Sequence, residues 1–249
     1  MTSPQPPRSR VDLRRPRDVG ALIGDAFTIY LRDFRTFFLI SIAVVVPVTV
    51  VVDGIGLGQL TADYDPSPGP AENLIPIVSR FLLVAPLTSA MCIYALLDLS
   101  EGERPRAWAS IQRGLDVFAP LLVVMLLYAA AVILGAFAFL IGALVALVFF
   151  SFCIQTAVVE DRRGTDALRR SWQLVRPDWL RVTGVSLLAN LLVGLLSAVI
   201  AAPFLGAADS SGSAVYQLVG TTLGGVLFAA PAALIITLLY FDQRVRTST

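Results

Sequence analysis

Residues 118–159 read FAPLLVVMLLYAAAVILGAFAFLIGALVALVFFSFCIQTAVV, 42 consecutive positions without a charge. A single helix of that length would run about 63 Å at 1.5 Å per residue, twice a hydrocarbon core of about 30 Å. Two spans joined by a tight outer turn near Phe139 to Gly142 satisfy the bilayer better. Polar residues bracket both ends, Arg113 and Asp116 before the stretch and Glu160-Asp161-Arg162-Arg163 after it. A hairpin places both brackets on one side of the membrane.

The charges of the whole chain obey the same sidedness. All 19 basic residues are arginine, and 18 fall in four clusters: Arg8 to Arg35, Arg104 to Arg113, Arg162 to Arg181, and Arg244 with Arg246. Between the clusters lie three apolar blocks, each long enough to cross and return. The arginine-rich segments hold 13 acids, and the loops inside the blocks hold five acids (Asp53, Asp63, Asp65, Glu72 and Asp209) and no base. This is the positive-inside pattern, with both termini cytoplasmic. Arg80 is the one exception, near the outer end of its span, where it can snorkel to headgroups. With 56% hydrophobic residues, 15% charged residues and a mean hydropathy of +0.77, a soluble fold of 249 residues could not hide so much apolar surface. The net charge of +1 offers nucleic acid no bulk attraction. No cleavable signal peptide is expected, so the first span acts as the membrane signal. The arginine-only usage fits a GC-rich bacterium, with the chain in its plasma (inner) membrane.

The expected fold is all-α: six transmembrane helices with three amphipathic cytoplasmic-surface helices. Residues 1–17, rich in Pro and Arg, read as a disordered cytoplasmic tail. Residues 18–246 read as one six-span domain, with spans at about 36–52, 75–97, 118–138, 142–159, 179–204 and 215–241. Asp18 stands where a helix cap belongs. After it Val19, Leu22, Ile23, Ala26, Phe27, Tyr30 and Phe34 follow helical spacing as the first surface helix. Pro105 opens the second, with Trp108, Ile111, Leu115 and Phe118 on one side. Thr165 or Asp166 opens the third, with Leu168, Ser171/Trp172 and Val175 toward the membrane and Arg169, Arg170, Gln173 and Arg176 toward water. Pro177 ends that helix and Asp178 caps span 5. Pro86 and Pro231 are expected bends, and Asp209 to Ser213 is expected to form an external loop. Surface helix, span, outer turn, span thus occurs three times.

The spans offer little chemistry. The chain has no histidine, the commonest general base and metal ligand. No metal site, cofactor or catalytic residue is expected, and Cys92 and Cys153 read as small core residues. The polar groups at depth include Asn190, Gln155 and Thr88. An unpaired amide in hydrocarbon is costly, so Asn190 is expected to face another helix. No carboxylate lies deep in a span, which argues against ion-coupled transport. Gly220 and Gly224 have the Gly-x-x-x-Gly spacing, read as intrachain packing. Gly54-Ile55-Gly56-Leu57-Gly58 lacks the strand–helix context and the lysine of a phosphate loop. The strongest partner signal is the cluster Arg162 to Arg181. There Arg169, Arg170 and Arg176 beside Trp172 and Trp179 could hold anionic lipid headgroups.

One segment resembles a known family. Glu160-Asp161-Arg162-Arg163-Gly164-Thr165-Asp166-Ala167-Leu168-Arg169-Arg170-Ser171-Trp172-Gln173-Leu174-Val175-Arg176 is similar to a recurring stretch of bacterial proteins named for the membrane domain of glycerophosphoryl diester phosphodiesterase. Asp25-Ala26-Phe27 to Phe34 and Thr237 to Arg246 agree with it, so the resemblance covers roughly residues 18–246. In that family the phosphodiesterase activity belongs to a separate barrel domain with acid–base histidines. The resemblance therefore implies a stand-alone membrane domain, and it carries no functional residue over. The expected function is a non-enzymatic membrane scaffold or accessory domain acting through lipid or protein contacts. The alternative is a transporter or facilitator of a lipid or small amphiphile, with a cavity lined by Asn190, Gln155 and Thr88.

Overall fold

The computed structural model describes residues 11–52, 74, 77–137 and 141–248. Of these, 88% are helical and none lies in a strand. The α-helices that lie wholly within the described residues are α1 (Val19–Arg32), α2 (Phe34–Val52), α3 (Ala85–Glu101), α4 (Ala107–Asp116), α5 (Phe118–Phe137), α6 (Ile141–Phe149), α7 (Cys153–Val159), α8 (Thr165–Val175), α9 (Trp179–Ser211) and α10 (Ala214–Ser248). Among the described residues six segments are long and apolar enough to cross a membrane. The loop between spans 1 and 2, with its glycines and Asp53, Asp63, Asp65 and Glu72, lies outside the described residues. So do residues 138–140 of the expected outer turn.

Helices α3 and α10 form the centre. α3 buries twelve of its 17 residues, from Pro86 to Leu99. α10 buries Leu234, Ile235, Leu238, Leu239 and Tyr240 completely. α9 is peripheral: over 33 residues it buries only Val182, Val185, Ala189, Ala201 and Ala208. It pairs with α10 through the glycine motif, as expected. A Cβ on Gly220 would lie 2.6 Å from Phe204 Cβ, and one on Gly224 3.1 Å from Ser197 O. The α5–α6 hairpin closes in the same way, since a Cβ on Gly135 would lie 2.4 Å from the backbone of Gly142. Only glycine at both positions lets the two backbones touch.

Three expectations are corrected. The fourth span is two helices, broken at Phe150-Ser151-Phe152. Ahead of Pro86, where a bend was expected, Arg80–Val84 form a π-helical turn closed by Ala85 N–H on Arg80 O. Proline cannot donate to the preceding turn, and a π-turn re-registers the chain around it. Asp209 to Ser211 are helical, and the turn is confined to Gly212 and Ser213. The hydroxyls of Ser210 and Ser211 donate to Ala207 O, and Gly212 in the left-handed region (φ 68°) ends the helix. At the start of α9, Arg176–Asp178 form a 3₁₀ turn rather than a break, and the Asp178 side chain makes no cap bond. Asp18 does occupy the N-cap position of α1, again without a side-chain cap bond.

The tail is also more structured than its composition suggests. Val11 and Leu13 pack on the core, Val11 N–H donates to Leu99 O, and Arg17 is 4% exposed. Residues 11–17 are therefore a strap across one end of the bundle; residues 1–10 lie outside the described residues.

Candidate functional site at the arginine-rich end

The four arginine clusters, far apart in sequence, meet at one end of the bundle. Asp242, fully buried at the end of α10, is the first hub. It accepts Arg17 N–H (2.6 Å), Arg181 Nη2 (2.9 Å) and Arg246 Nε (3.0 Å). Arg181 and Arg246 also donate to the carbonyl of Arg17. The buried guanidinium of Arg17 reaches Asp25 of α1 (2.9 Å) and turns back on its own strap, to Arg15 O and Asp12 O. A carboxylate removed from water needs this full set of donors.

Glu160 is the second hub. Arg170 Nε donates to Oε2 at 2.9 Å and the Tyr240 hydroxyl to Oε1 at 2.9 Å, while Arg162 and Arg244 stand at 4.0 Å. Burial pushes the Glu160 carboxyl up, but the hydrogen bonds from Arg170 and Tyr240 and the charges of Arg170 and Arg244 outweigh it. The carboxyl stays below its ordinary range.

The segment Arg169-Arg170-Ser171-Trp172 lies against this hub and divides its labour. Ser171 is fully buried at the break in the fourth span. Its hydroxyl donates to Phe149 O (2.8 Å) and accepts Phe152 N–H (3.1 Å). One side chain thus satisfies two of the backbone groups that the broken helix frees, and the Tyr128 hydroxyl takes a third, Leu147 O, at 3.1 Å. The Thr156 hydroxyl answers from the other side, donating to Ala167 O at 3.0 Å. Trp172 stacks on Phe149, with centroids 4.2 Å apart. The expected membrane-facing side of α8 is corrected accordingly: Leu168, Ser171 and Val175 face the protein interior. Helix α1 does the same with Leu22, Ala26, Ile29 and Tyr30, whose hydroxyl donates to Leu227 O.

The expected headgroup residues therefore separate. Arg170 is committed to Glu160, and Trp172 is 37% exposed but stacked. Arg169 and Arg176 are exposed, and Trp179 is 46% exposed. The three polar residues at depth do not come together as one lining. Asn190 is exposed and donates to Ser186 O of its own helix, correcting its expected interhelical role. A carbonyl four residues back satisfies the amide without a neighbour. Gln155 and Thr88 are buried, with Gln155 Oε1 and Thr88 Oγ1 lacking partners.

Two clefts open at the arginine-rich end. The larger, about 860 Å³, lies between the strap and α10 and is lined by Val11 to Arg14, Ser100, Phe241, Arg244 and Val245. The smaller, about 430 Å³, lies between the end of α3 and α4. Neither is lined by Asn190, Gln155 or Thr88. Among the described residues no group of three or more acid or cysteine side chains could hold a metal ion.

Sequence reasoning counted Glu160 and Asp242 only as acids on the arginine side. A usable signal was present: each follows the last apolar residue of a span directly, and Asp242 has Arg246 one turn on. Acids at that depth need built-in donors. No curated protein and no solved structure matches the chain. Residues 77–241 match a family described as a domain of unknown function (DUF7847). The chain belongs to that family.

Proposed function

We propose that this protein is a non-enzymatic scaffold or accessory protein of the bacterial plasma membrane. It spans the bilayer six times with both termini in the cytoplasm, and it acts through its arginine-rich face on anionic lipid or a membrane partner. The observation that carries this reading is the convergence of the four arginine clusters on one end. There the carboxylate hubs consume Arg17, Arg170, Arg181 and Arg246 and leave Arg169, Arg176 and Trp179 exposed. An exposed guanidinium at headgroup depth is a phosphate ligand. The likeness of residues 160–176 to the membrane-domain family named above belongs to the same proposal.

Two measurements test it. Arg169→Gln with Arg176→Gln should lower retention of an anionic phospholipid in native mass spectra; unchanged retention sinks the lipid reading. Cysteine placed at Ser211 should label from outside intact cells, and labelling only after permeabilisation would invert the topology. The transport alternative has one observation behind it, the unpartnered buried oxygens of Gln155 and Thr88. The outward-facing Asn190 speaks against a shared cavity.

A further inference from the structure

The larger cleft takes its apolar walls from two elements. Val11 and Leu13 line it from the strap, and Phe241 and Val245 line it from α10. The two strap residues pack on the core, and Phe241 is itself buried. Phe241 and Val245 stand one helical turn apart and so share a face. At the end of α3, Ser100 completes the lining, with its hydroxyl already given to Leu97 O at 2.7 Å.

The charges of the lining are Arg14, Arg244 and Asp12. Both arginines are exposed, and neither guanidinium makes a hydrogen bond within the described residues. Arg244 Nε stands 4.0 Å from Glu160 Oε1, but the two Glu160 oxygens already take Arg170 and Tyr240 at 2.9 Å. Asp12 turns Oδ1 back to its own strap, where it accepts Arg14 N–H at 2.9 Å. Two guanidiniums with open donors thus stand beside apolar walls, an arrangement that suits an anion carrying an apolar tail.

We infer that this cleft binds a single-chain anionic amphiphile of the fatty-acid type. Its carboxylate lies on Arg14 and Arg244, and its alkyl chain lies between the strap side, Val11 and Leu13, and the α10 side, Phe241 and Val245. The volume of about 860 Å³ is that of a small-molecule site. A peptide would bring N–H and C=O groups that these walls cannot pair, whereas an alkyl chain brings none. The cleft lies over the last turns of α3 and α10, the two central helices. A two-chain phospholipid would have to leave its leaflet to enter, and a free single chain would not. The strap carries half of the site, so an occupied cleft ties residues 11–14 to α10. The inference rests on the cytoplasmic placement of this end in the function proposed above, but not on Arg169 or Arg176.

The test is native mass spectrometry of the full chain in detergent micelles, offered oleate, oleyl alcohol or dioleoyl phosphatidylglycerol. The wild type should retain oleate about tenfold or more over oleyl alcohol, the scale of one charge-assisted contact. Arg14→Gln with Arg244→Gln should remove most of that preference. Arg163→Gln, an exposed arginine outside the cleft, should keep it. The two cleft arginines are exposed, so the double variant should keep the wild-type melting temperature. Equal retention of oleate and oleyl alcohol by the wild type overturns the inference, as does a preference that survives the double variant. Loss of phosphatidylglycerol rather than oleate in the double variant would give the cleft to a bilayer lipid and overturn it too. Loss of phosphatidylglycerol in Arg169→Gln/Arg176→Gln, with oleate retention indifferent to the cleft variant, would leave the proposed function standing and remove this one.

Discussion

Helix α8 turns its large apolar side chains into the protein. Ala167, Leu168, Leu174 and Val175 are buried, Ser171 is locked into the break of the fourth span, and Arg170 is held by Glu160. Helix α4, read as the same kind of surface helix, does the reverse. It buries Ser110 and Gly114 and leaves Trp108 and Leu115 outside. The physical difference is where the small residues fall. On α4 they stand one turn apart and make a seam that lets the helix sit close on α3. On α8 the large residues share the face that meets α7 and α10, where a discontinuous helix needs both packing and a hydroxyl. An amphipathic pattern thus says that a face is apolar without saying whether protein or lipid covers it.

The sharpest way to break this contrast is a matched pair of serine deletions. Ser171→Ala leaves Phe149 O and Phe152 N–H unpaired, each costing about 1–3 kcal/mol where water is absent. Ser110 is equally buried, yet its hydroxyl has no partner, so Ser110→Ala should be neutral or slightly stabilising. Thermal unfolding of the detergent-solubilised protein, followed by circular dichroism, compares them. Equal melting temperatures would remove the special role of Ser171.

Gly114→Ala attacks the seam of α4 directly. Its Cβ would lie 2.4 Å from Met91 Cγ and 3.4 Å from the Met91 backbone nitrogen. Overpacking of this kind costs about 1–3 kcal/mol. Gly194, in α9, has nothing within 4 Å of an added Cβ, so Gly194→Ala should gain a few tenths to about 1 kcal/mol from helix propensity. The same melting experiment reads both, and a harmless Gly114→Ala would show that α4 is loosely held.

The ion pairs of the two helices should differ in the same sense. Both carboxylates are equally shielded, each side chain 11% exposed, but Glu160 has two short donors, Arg170 and Tyr240, whereas Asp98 has Arg113, which is 49% exposed. Asp98→Asn keeps an oxygen that can accept from Arg113 and should therefore cost less than Glu160→Gln, which breaks with two donors. The folded-state carboxyl of Glu160 titrates below its unfolded value. Its contribution is therefore present above the ordinary carboxylate range and fades as pH falls through the lowered value. Melting temperature should drop on acidification below about pH 4, and Glu160→Gln should flatten that drop. An unaltered acid limb in Glu160→Gln would place the acid sensitivity elsewhere.

That six helices among the described residues are long and apolar enough to cross a membrane was legible because hydropathy is a property of the chain alone. The glycine contact of α9 with α10 was legible for a similar reason, since Gly220 and Gly224 carry their own spacing. The break at residues 150–152 was not. Phe150, Ser151 and Phe152 are ordinary in a span, and the hydroxyl that tolerates the break comes from Ser171, about twenty positions on. The ordering of residues 11–17 was hidden for the same kind of reason: its anchor, Asp242, is 225 residues from Arg17. The segment that resembled a family motif proved to be architecture, with Arg170, Ser171 and Trp172 each spent on a contact. The exposed arginines beside it read no differently in sequence.

The smallest expected effect on stability is the most telling for the contrast. Trp108→Ala removes an exposed ring and should leave unfolding within about 0.5 kcal/mol of the wild type. The same ring should report lipid strongly. In a variant keeping Trp108 alone (Trp172→Phe, Trp179→Phe), phospholipids brominated near the headgroup end of their chains should quench most of the fluorescence. In a variant keeping Trp172 alone, the indole is stacked on Phe149 and quenching should be weaker. Both tryptophans lie at the arginine-rich end, so depth alone cannot produce the difference. Only the side toward which each helix turns can do so. Equal quenching would mean that α8, like α4, shows its aromatic residue to lipid.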